Sequence, residues 1–344
     1  MESINLRNYF FYLASSVIII AGIKVASEII VILFLSIFIS SIFSAFITYL
    51  EKRKIPKLLS YMFAISTFVM FTLLLSYIIN ISLKDFINNL PFYEQKLQEL
   101  IVNGINFVEE YGYKVDKTQI LEALNISSFF SFTTNLLGSI GTFLSKFLLI
   151  IIGVSFILAE AKSFEAKLKI IFKNNTTKLA HFNLFSHNIQ KYFLVKSGTS
   201  FLTGFIITVV LLYFEVDYPI LWGVLAMLFN FVPVVGSIIA SIPAILLALF
   251  SGDINTTIWI VVLYMVVNIS ISNILEPKFM GKELGLSPLV IFFSLIFWGW
   301  ILGIVGMFLA VPITMTLKIA FNSNSNTKWL AILMSDLANR KKVN

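Results

Sequence analysis

Long apolar runs separated by short charged stretches dominate this sequence, and the length of each run predicts how it crosses a membrane. Residues 9–50 form the first run, which is interrupted by Lys24, Ser27 and Glu28. About 20 apolar residues span a bilayer, so this run predicts two spans that turn near Lys24. Lys24 and Glu28 lie four residues apart, a spacing that allows them to pair on one helical face. A third span follows over residues 58–83.

Charged residues gather between the runs and predict which loops face the cytoplasm. The loop at residues 51–57, EKRKIPK, holds four basic residues against one acidic residue, which favours the cytoplasmic side and places the N-terminus there as well. Residues 84–136 hold four lysines against seven acidic residues, and their apolar spacing predicts amphipathic helices outside, docked on the membrane or on other spans. After a fourth span at residues 137–160, the lysine-rich linker at residues 161–196 is predicted to be cytoplasmic, as is the basic tail at residues 319–344.

An apolar stretch in the C-terminal half is interrupted by proline and glycine. After a fifth span at residues 197–214, the stretch at residues 219–250 is too long for one untilted span and too short for two. It contains Pro233, Gly236 and Pro243. This pattern predicts a re-entrant hairpin whose half-helices meet between Pro233 and Gly236, with a proline-kinked span as the alternative.

A second interrupted stretch follows a further crossing at residues 255–275. Its glycines and proline fall within residues 289–318, at Gly299, Gly303, Gly306 and Pro312. The segments GSIIASIPAILLAL and GMFLAVPITMTLKI each begin with a glycine that precedes a proline and an apolar tail. Because their predicted orientations are opposite, they form an inverted-topology repeat, the pattern of secondary transporters with a site near the bilayer midplane.

The predicted midplane site consists of helix ends and neutral polar side chains. Broken helices leave unpaired amides, which favour anions, and unpaired carbonyls, which favour cations. No carboxylate lies deep in a predicted span, which argues against proton coupling and favours a polar uncharged substrate or a cation held by carbonyls. Glu276 is the ion-coupling candidate, and its pairing with Lys278 or Lys282 is the alternative. The candidate substrate-binding residues are Asn230, Pro233, Gly236, Ser237, Asn268, Asn273, Gly303, Gly306 and Pro312, with Thr314 as a further neutral group.

Composition supports a membrane protein and excludes several kinds of site. The chain is 58% hydrophobic and 12% charged, with a mean hydropathy of +0.92, whereas soluble domains carry about 25% charged residues. It has no cysteine, which excludes disulfides and thiolate metal sites. His181 and His187 are spaced poorly for a shared metal and are expected in solvent. The net charge of +7 fits basic cytoplasmic loops and not nucleic-acid binding. No nucleophile–base pair or cofactor motif predicts an enzyme.

The C-terminal motifs resemble those of one bacterial transporter family. The stretch FNFVPVVGSIIASIPAILLAL, the Glu276-Pro277-Lys278 motif, Gly281 and residues 303–312 are similar to the autoinducer-2 exporter family, and the order of spans, basic loop and insert agrees along the chain. The resemblance implies about eight membrane segments, a homo-oligomer and export of a small solute such as autoinducer-2. Some relatives are described as sodium or lithium ion/proton antiporters, so a monovalent cation stays an alternative substrate.

These patterns predict an all-α polytopic membrane protein with about eight membrane segments, two of them re-entrant or broken hairpins in an inverted repeat. The first hypothesis is a secondary carrier in the bacterial plasma membrane that exports a small polar solute by alternating access, with both termini cytoplasmic. The alternatives are a cation/proton antiporter and a membrane scaffold that binds partners through the insert. The predicted organisation is a three-span scaffold (1–83), an insert (84–136), a fourth span (137–160), a linker (161–196), a transport unit with both hairpins (197–318) and a tail (319–344).

Overall fold

The computed structural model of the chain is helical throughout the part that it describes. The described residues are 6–112, 131, 133–135, 137–138, 146–171, 176–233, 235–251, 254–280, 285–323 and 325–336. Within them, the one extended pairing outside helices and turns is an isolated antiparallel bridge between Leu286 and Ser335. The prediction of an all-α fold is confirmed. Parts of the predicted insert and tail, and both Gly281 and Lys282, lie outside the described residues.

Eleven α-helices and one π-helical turn are defined in this part of the chain, and five helical stretches are long and apolar enough to cross a membrane. In chain order the elements are α1 (Leu6–Val25), α2 (Ser27–Lys52), α3 (Lys57–Glu110), α4 (Phe147–Ile171), α5 (Thr176–Tyr213), α6 (Pro219–Phe229), α7 (Val235–Ser251), α8 (Ile254–Ser270), a π-helix (Ile271–Leu275), α9 (Glu276–Met280), α10 (Pro288–Asn322) and α11 (Lys328–Leu333).

The N-terminal helices follow the predicted spans but end at different positions. The turn between α1 and α2 falls at Ala26, next to Lys24, as the first apolar run predicts. Helix α3 differs, because it continues for 54 residues through the predicted third span and into the insert, with Pro91 inside it. At about 1.5 Å per residue it extends about 80 Å along its axis, well beyond the roughly 30 Å hydrocarbon core. The start of the insert is therefore an extension of the third span.

The helices group into two compact units that are discontinuous in sequence. The first unit comprises Met1–Ile65, Leu148–Lys196 and Pro277–Asn344, and the second comprises Ser66–Phe147 and Ser197–Glu276. In the first unit, α10 packs against α1, α2 and α11. Helices α2 and α4 also pack closely, since a Cβ added to Gly153 of α4 would overlap the side chain of Ser36 in α2.

The second unit is organised around α5, α6, α7 and α8. Helix α7 packs against both α6 and α8. The backbones of α5 and α6 come together at two glycines, because a Cβ added to Gly204 would lie 2.6 Å from the carbonyl oxygen of Gly223. Small residues allow this close approach of helices in membrane proteins, where dispersion and hydrogen bonds replace the hydrophobic effect between helices.

The α3 extension is anchored in the second unit by Tyr93. Its hydroxyl donates a 2.8 Å hydrogen bond to the Asp217 carboxylate, and Asn89 donates to the Tyr218 hydroxyl at 2.7 Å. Phe86, which is 1% exposed, packs edge-on against the ring of Trp222. Burial of the phenol, together with its hydrogen bond to Asp217, raises the pKa of Tyr93 above its ordinary value.

The first interrupted stretch forms a helical hairpin of α6 and α7. Helix α6 ends at Phe229, α7 begins at Val235, and the two helices pack against each other. Gly236 permits this turn, because an added Cβ would overlap the carbonyl oxygen of Phe229 and lie 2.9 Å from the Val232 Cβ. Pro243, which the sequence pattern counted as a second interruption, lies inside α7.

The second interrupted stretch folds back on itself at Gly303. This residue has φ 68° and ψ −153°, a backbone conformation that is essentially restricted to glycine. The Trp298 indole donates a 3.1 Å hydrogen bond to the Thr314 hydroxyl 16 residues later, and these residues would lie about 24 Å apart on a straight helix. Helix α10 is therefore a hairpin with arms at residues 288–302 and 304–322. The predicted breaks at Gly299, Gly306 and Pro312 are wrong, because all three are helical.

Candidate functional site

A row of buried polar side chains runs along one face of α5. Lys196, Thr199, Ser200 and Thr203 recur at helical spacing, and each is at most 4% exposed. On the same face, apolar side chains continue the buried row, including Ile207, which is fully buried. Burying a polar group away from water costs free energy unless the group is hydrogen-bonded within the protein. These side chains therefore identify the part of α5 where polar contacts are concentrated.

Asn230 reaches this row from the turn of the α6–α7 hairpin. Its side-chain amide donates a 3.0 Å hydrogen bond to the Ser200 hydroxyl, and the two residues are 4% and 0% exposed. Asn230 stands directly after the last residue of α6, so the position at which that helix ends determines where the amide lies. The hydrogen bond ties the break in the hairpin to the polar face of α5.

The backbone at this break is hydrogen-bonded within the turn. The amides of five residues donate to nearby carbonyl oxygens, at distances from 2.7 to 3.3 Å: Asn230, Phe231, Val232, Val235 and Gly236. At these five positions, the amides that were expected to be unpaired are hydrogen-bonded. A tight turn satisfies its own donors because the bilayer supplies no water to do so.

Glu276, the last residue of the second unit in sequence, contacts the same part of α5. The Thr199 hydroxyl donates a 3.1 Å hydrogen bond to one oxygen of its half-buried carboxylate. Glu276 follows directly after the π-helix Ile271–Leu275. Short π-helical turns widen a helix locally and often occur at functional sites. Because Thr199 and Ser200 are consecutive, Glu276 and Asn230 bind adjacent hydroxyls.

We call Thr199, Ser200, Thr203, Asn230 and Glu276 the polar cluster. It contains three hydroxyls, one amide and one carboxylate, and all five residues belong to the second unit. Thr203 donates its hydroxyl back to the Thr199 carbonyl oxygen at 2.9 Å. The cluster offers several hydrogen bonds and a single carboxylate. Among the described residues, no group of three histidine, aspartate or glutamate side chains lies close enough to hold a metal ion.

The remaining candidate residues are distributed over both units. Pro233 and Ser237 are half-buried near the first turn, and Gly236 is buried within it. Asn268 donates to the Tyr264 carbonyl oxygen one turn earlier, and Asn273 is exposed in the π-helix. The first unit contains the other three, Gly303, Gly306 and Pro312. A midplane site that both hairpins share stays a prediction.

Sequence reasoning missed the contribution of α5. The stretch from Lys196 to Gly204, KSGTSFLTG, places four hydroxyls and a lysine at the start of an otherwise apolar span. That polar interruption was the available signal. It was ambiguous because serine and threonine in helices commonly bond to their own backbone, so their presence alone does not indicate which face is buried.

Comparisons with known proteins identify a family of transporters. The AI-2E family transporter model matches residues 13–326. A Haemophilus influenzae protein that bears a provisional transport name is 34% identical over 99% of both chains. The AI-2 transport protein TqsA of Escherichia coli K12 is 31% identical over 93% of both chains, and YhhT from the same strain is 30% identical over 94% of this chain and 92% of its own. This multi-pass membrane chain therefore belongs to the AI-2E family of transporters.

Proposed function

We propose that this protein is a secondary carrier that exports a small polar solute of the autoinducer-2 class across the bacterial plasma membrane. The observation that carries the proposal is the polar cluster, in which three buried hydroxyls of α5 meet the Asn230 amide and the Glu276 carboxylate. The relative named for AI-2 transport matches the chain through this region and nearly from end to end. The resemblance and the chemistry of the cluster support the same substrate class.

Neutral hydrogen-bonding groups suit a neutral polar solute better than an ion. A site built from hydroxyls and amides discriminates strongly against solutes that leave those groups unpaired, because each unpaired buried group costs about 1–3 kcal/mol. Ser200 and Asn230 are hydrogen-bonded to each other in this structure, so a solute would have to replace that hydrogen bond with its own. This exchange of hydrogen bonds would leave both the Ser200 hydroxyl and the Asn230 amide with a partner, whether or not the solute is bound.

The two hairpins are the proposed moving elements. Each turn depends on a glycine where an added Cβ would overlap a carbonyl oxygen from the preceding arm: Phe229 for Gly236 and Trp298 for Gly306. This shared steric feature supports the inverted repeat, which in secondary transporters underlies alternating access to a central site. The N-terminal spans would then provide the scaffold and the contacts of a homo-oligomer.

Transport into inside-out vesicles tests the proposal. Vesicles that contain the protein should accumulate autoinducer-2, and Ser200→Ala or Asn230→Ala should lower the initial rate about tenfold, which corresponds to about 1.4 kcal/mol. Ser241→Ala is the matched control, because the Ser241 hydroxyl bonds only one turn back to Ile238 on the same hairpin. Rates are compared at equal amounts of folded protein. Accumulation no greater than in vesicles without the protein would reject the proposed substrate.

Cation/proton antiport is the second candidate, and Glu276 favours it. Its carboxylate is half-buried, accepts a hydrogen bond from Thr199 and follows a π-helix, and ionisable residues at membrane depth often serve ion pathways. Glu276→Gln should abolish the pH dependence of sodium or lithium transport if the carboxylate carries the proton. A pH dependence equal to that of the wild type would exclude this role.

A further inference from the structure

A groove of about 600 Å³ lies along α10 in the first unit. Four residues of its first arm recur at helical spacing and contribute exposed apolar surface: Leu289, Phe293, Phe297 and Trp300, with exposures of 66%, 58%, 40% and 57%. The second arm contributes Thr314 and Leu317. The groove therefore lies between the arms of one hairpin and is independent of the polar cluster.

The polar groups in this groove are already hydrogen-bonded. Ser294 donates its hydroxyl to the Ile291 carbonyl oxygen at 2.8 Å, and Thr314 accepts the indole hydrogen of Trp298 at 3.1 Å. Each of these two side chains already takes part in one hydrogen bond, and the other eight residues that line the groove are aliphatic or aromatic. The groove consequently favours an apolar occupant.

The length of the groove matches one leaflet of a bilayer. From Leu289 to Trp300 the helix rises about 16 Å at about 1.5 Å per residue. The hydrocarbon core is about 30 Å thick, so each leaflet contributes about half of that. A single acyl chain of a phospholipid fits this length, whereas a transmembrane helix of a partner would extend beyond it.

A positive charge lies at the Trp300 end of the groove. The Lys24 ammonium lies 3.9 Å from the centroid of the Trp300 ring, which is itself part of the groove wall. Tryptophan and lysine both favour the membrane interface, where the apolar part of each side chain is buried and its polar end is hydrated. The ammonium carries three N–H donors, and a phosphate is a natural acceptor for them.

We infer that this groove binds an anionic phospholipid, with an acyl chain along Leu289–Trp300 and the headgroup phosphate on Lys24. Three features support the assignment: the apolar wall, the leaflet length and the cation at one end. A zwitterionic lipid presents the same chains and phosphate, but its own ammonium competes with Lys24. Anionic headgroups should therefore bind more tightly.

Native mass spectrometry of the delipidated, full-length protein with added phosphatidylglycerol or phosphatidylcholine tests the inference. The wild type should retain phosphatidylglycerol preferentially, and Lys24→Gln should lower that retention several-fold. Lys57→Gln is the matched control, because the Lys57 ammonium lies 5.4 Å from the Tyr61 ring in a similar arrangement, but Tyr61 does not line the groove. Equal losses in both variants, or no preference for the anionic lipid, would overturn the assignment.

Quenching by brominated phosphatidylglycerol tests the position of the acyl chain in the wild-type protein. Bromine along the chain should quench Trp300 fluorescence, identified as the emission that Trp300→Phe removes. Absence of quenching there would place the lipid elsewhere and overturn the inference. A change of oligomer size in Lys24→Gln, with lipid retention unaltered, would also overturn it, because the groove would then be a contact between copies of the chain.

Discussion

A single hydrogen bond, from the Asn230 amide to the Ser200 hydroxyl, closes the polar cluster on its hairpin side. Hydrogen bonds between membrane helices average only about 0.6 kcal/mol, because an alternative partner is usually available. This bond is a candidate for a larger effect, since both residues are almost fully buried and the neighbouring backbone donors are satisfied within the turn.

Removal of the Ser200 hydroxyl should therefore destabilise the protein by about 1–2 kcal/mol. Ser200→Ala leaves the Asn230 amide without its acceptor, and thermal unfolding in detergent should show a lower midpoint. Ser241→Ala, which removes only an i−3 bond on the same hairpin, should leave the midpoint nearly unchanged. Equal midpoints for all three proteins would show that Asn230 finds another acceptor.

The Tyr93–Asp217 hydrogen bond predicts a response at alkaline pH. Because burial and Asp217 raise the pKa of Tyr93 in the folded protein, its stabilising contribution is complete below the unfolded value of about 10 and is lost as pH rises further. The difference in unfolding midpoint between wild type and Tyr93→Phe should be constant at neutral pH and shrink above pH of about 10. A difference in midpoint that does not change with pH would show that ionisation of the Tyr93 hydroxyl is not linked to unfolding.

At the scale of elements, the backbone of Gly303 is the feature on which the α10 hairpin depends. Gly303→Ala places a Cβ at φ 68° and ψ −153°, which costs about 1–3 kcal/mol in a region that other residues avoid. We expect a lower unfolding midpoint and less folded protein. Gly22→Ala is the control, because nothing lies within 4 Å of an added Cβ in that helix. Similar midpoints for the two variants would mean that the turn can relax.

Sequence patterns predicted where the hairpins lie better than how they turn. The apolar lengths and Pro233 located the first break, and Gly303 was among the residues named for the second. The pattern could not separate Gly303 from Gly306, because one glycine supplies an unusual backbone conformation and the other supplies space against Trp298. Both requirements appear in the sequence as the same residue type.

Side-chain contacts were predicted less well than elements. Asn230 was named from its place beside the break, whereas its partner Ser200 lies 30 residues away and was not named. Helix α3 also continues past residue 84, where the insert was predicted to begin, and through Pro91. Proline disfavours a helix interior locally, but residues on both sides, Phe86 and Tyr93, are buried by tertiary packing that a local pattern does not contain.

At the scale of the molecule, each compact unit contains one hairpin, although the chain passes between the units several times. Helices α3 and α5 each contribute residues to both units. The units therefore do not follow the linear order of segments in the sequence, and each hairpin can be examined through contacts within its own unit.

The Lys24–Trp300 contact predicts that the α1–α2 turn and the tip of α10 are accessible from the same side of the membrane. In this cysteine-free chain, single cysteines at Ala26 and Ile304 should both react with an impermeant maleimide added outside. Arg53→Cys, in the basic loop after α2, should react only after permeabilisation, as the positive-inside rule predicts. Reaction of positions 26 and 304 from opposite sides would contradict the contact, whereas reaction of both from outside would place the turn of α10 at the outer interface and rule out the predicted midplane position of that turn.

The close fit at Gly236 also limits the ways in which the first hairpin can move. With no room between the Phe229 carbonyl and the start of α7, the arms cannot come closer at their turn, and the hydrogen bond from the Gly236 amide to the Val232 carbonyl oxygen opposes their separation there. We therefore expect α6 and α7 to rotate together as one rigid pair. The hinge of this rotation would lie in the segment between Tyr213 and Pro219, where Glu215 and Tyr218 adopt left-handed backbone angles.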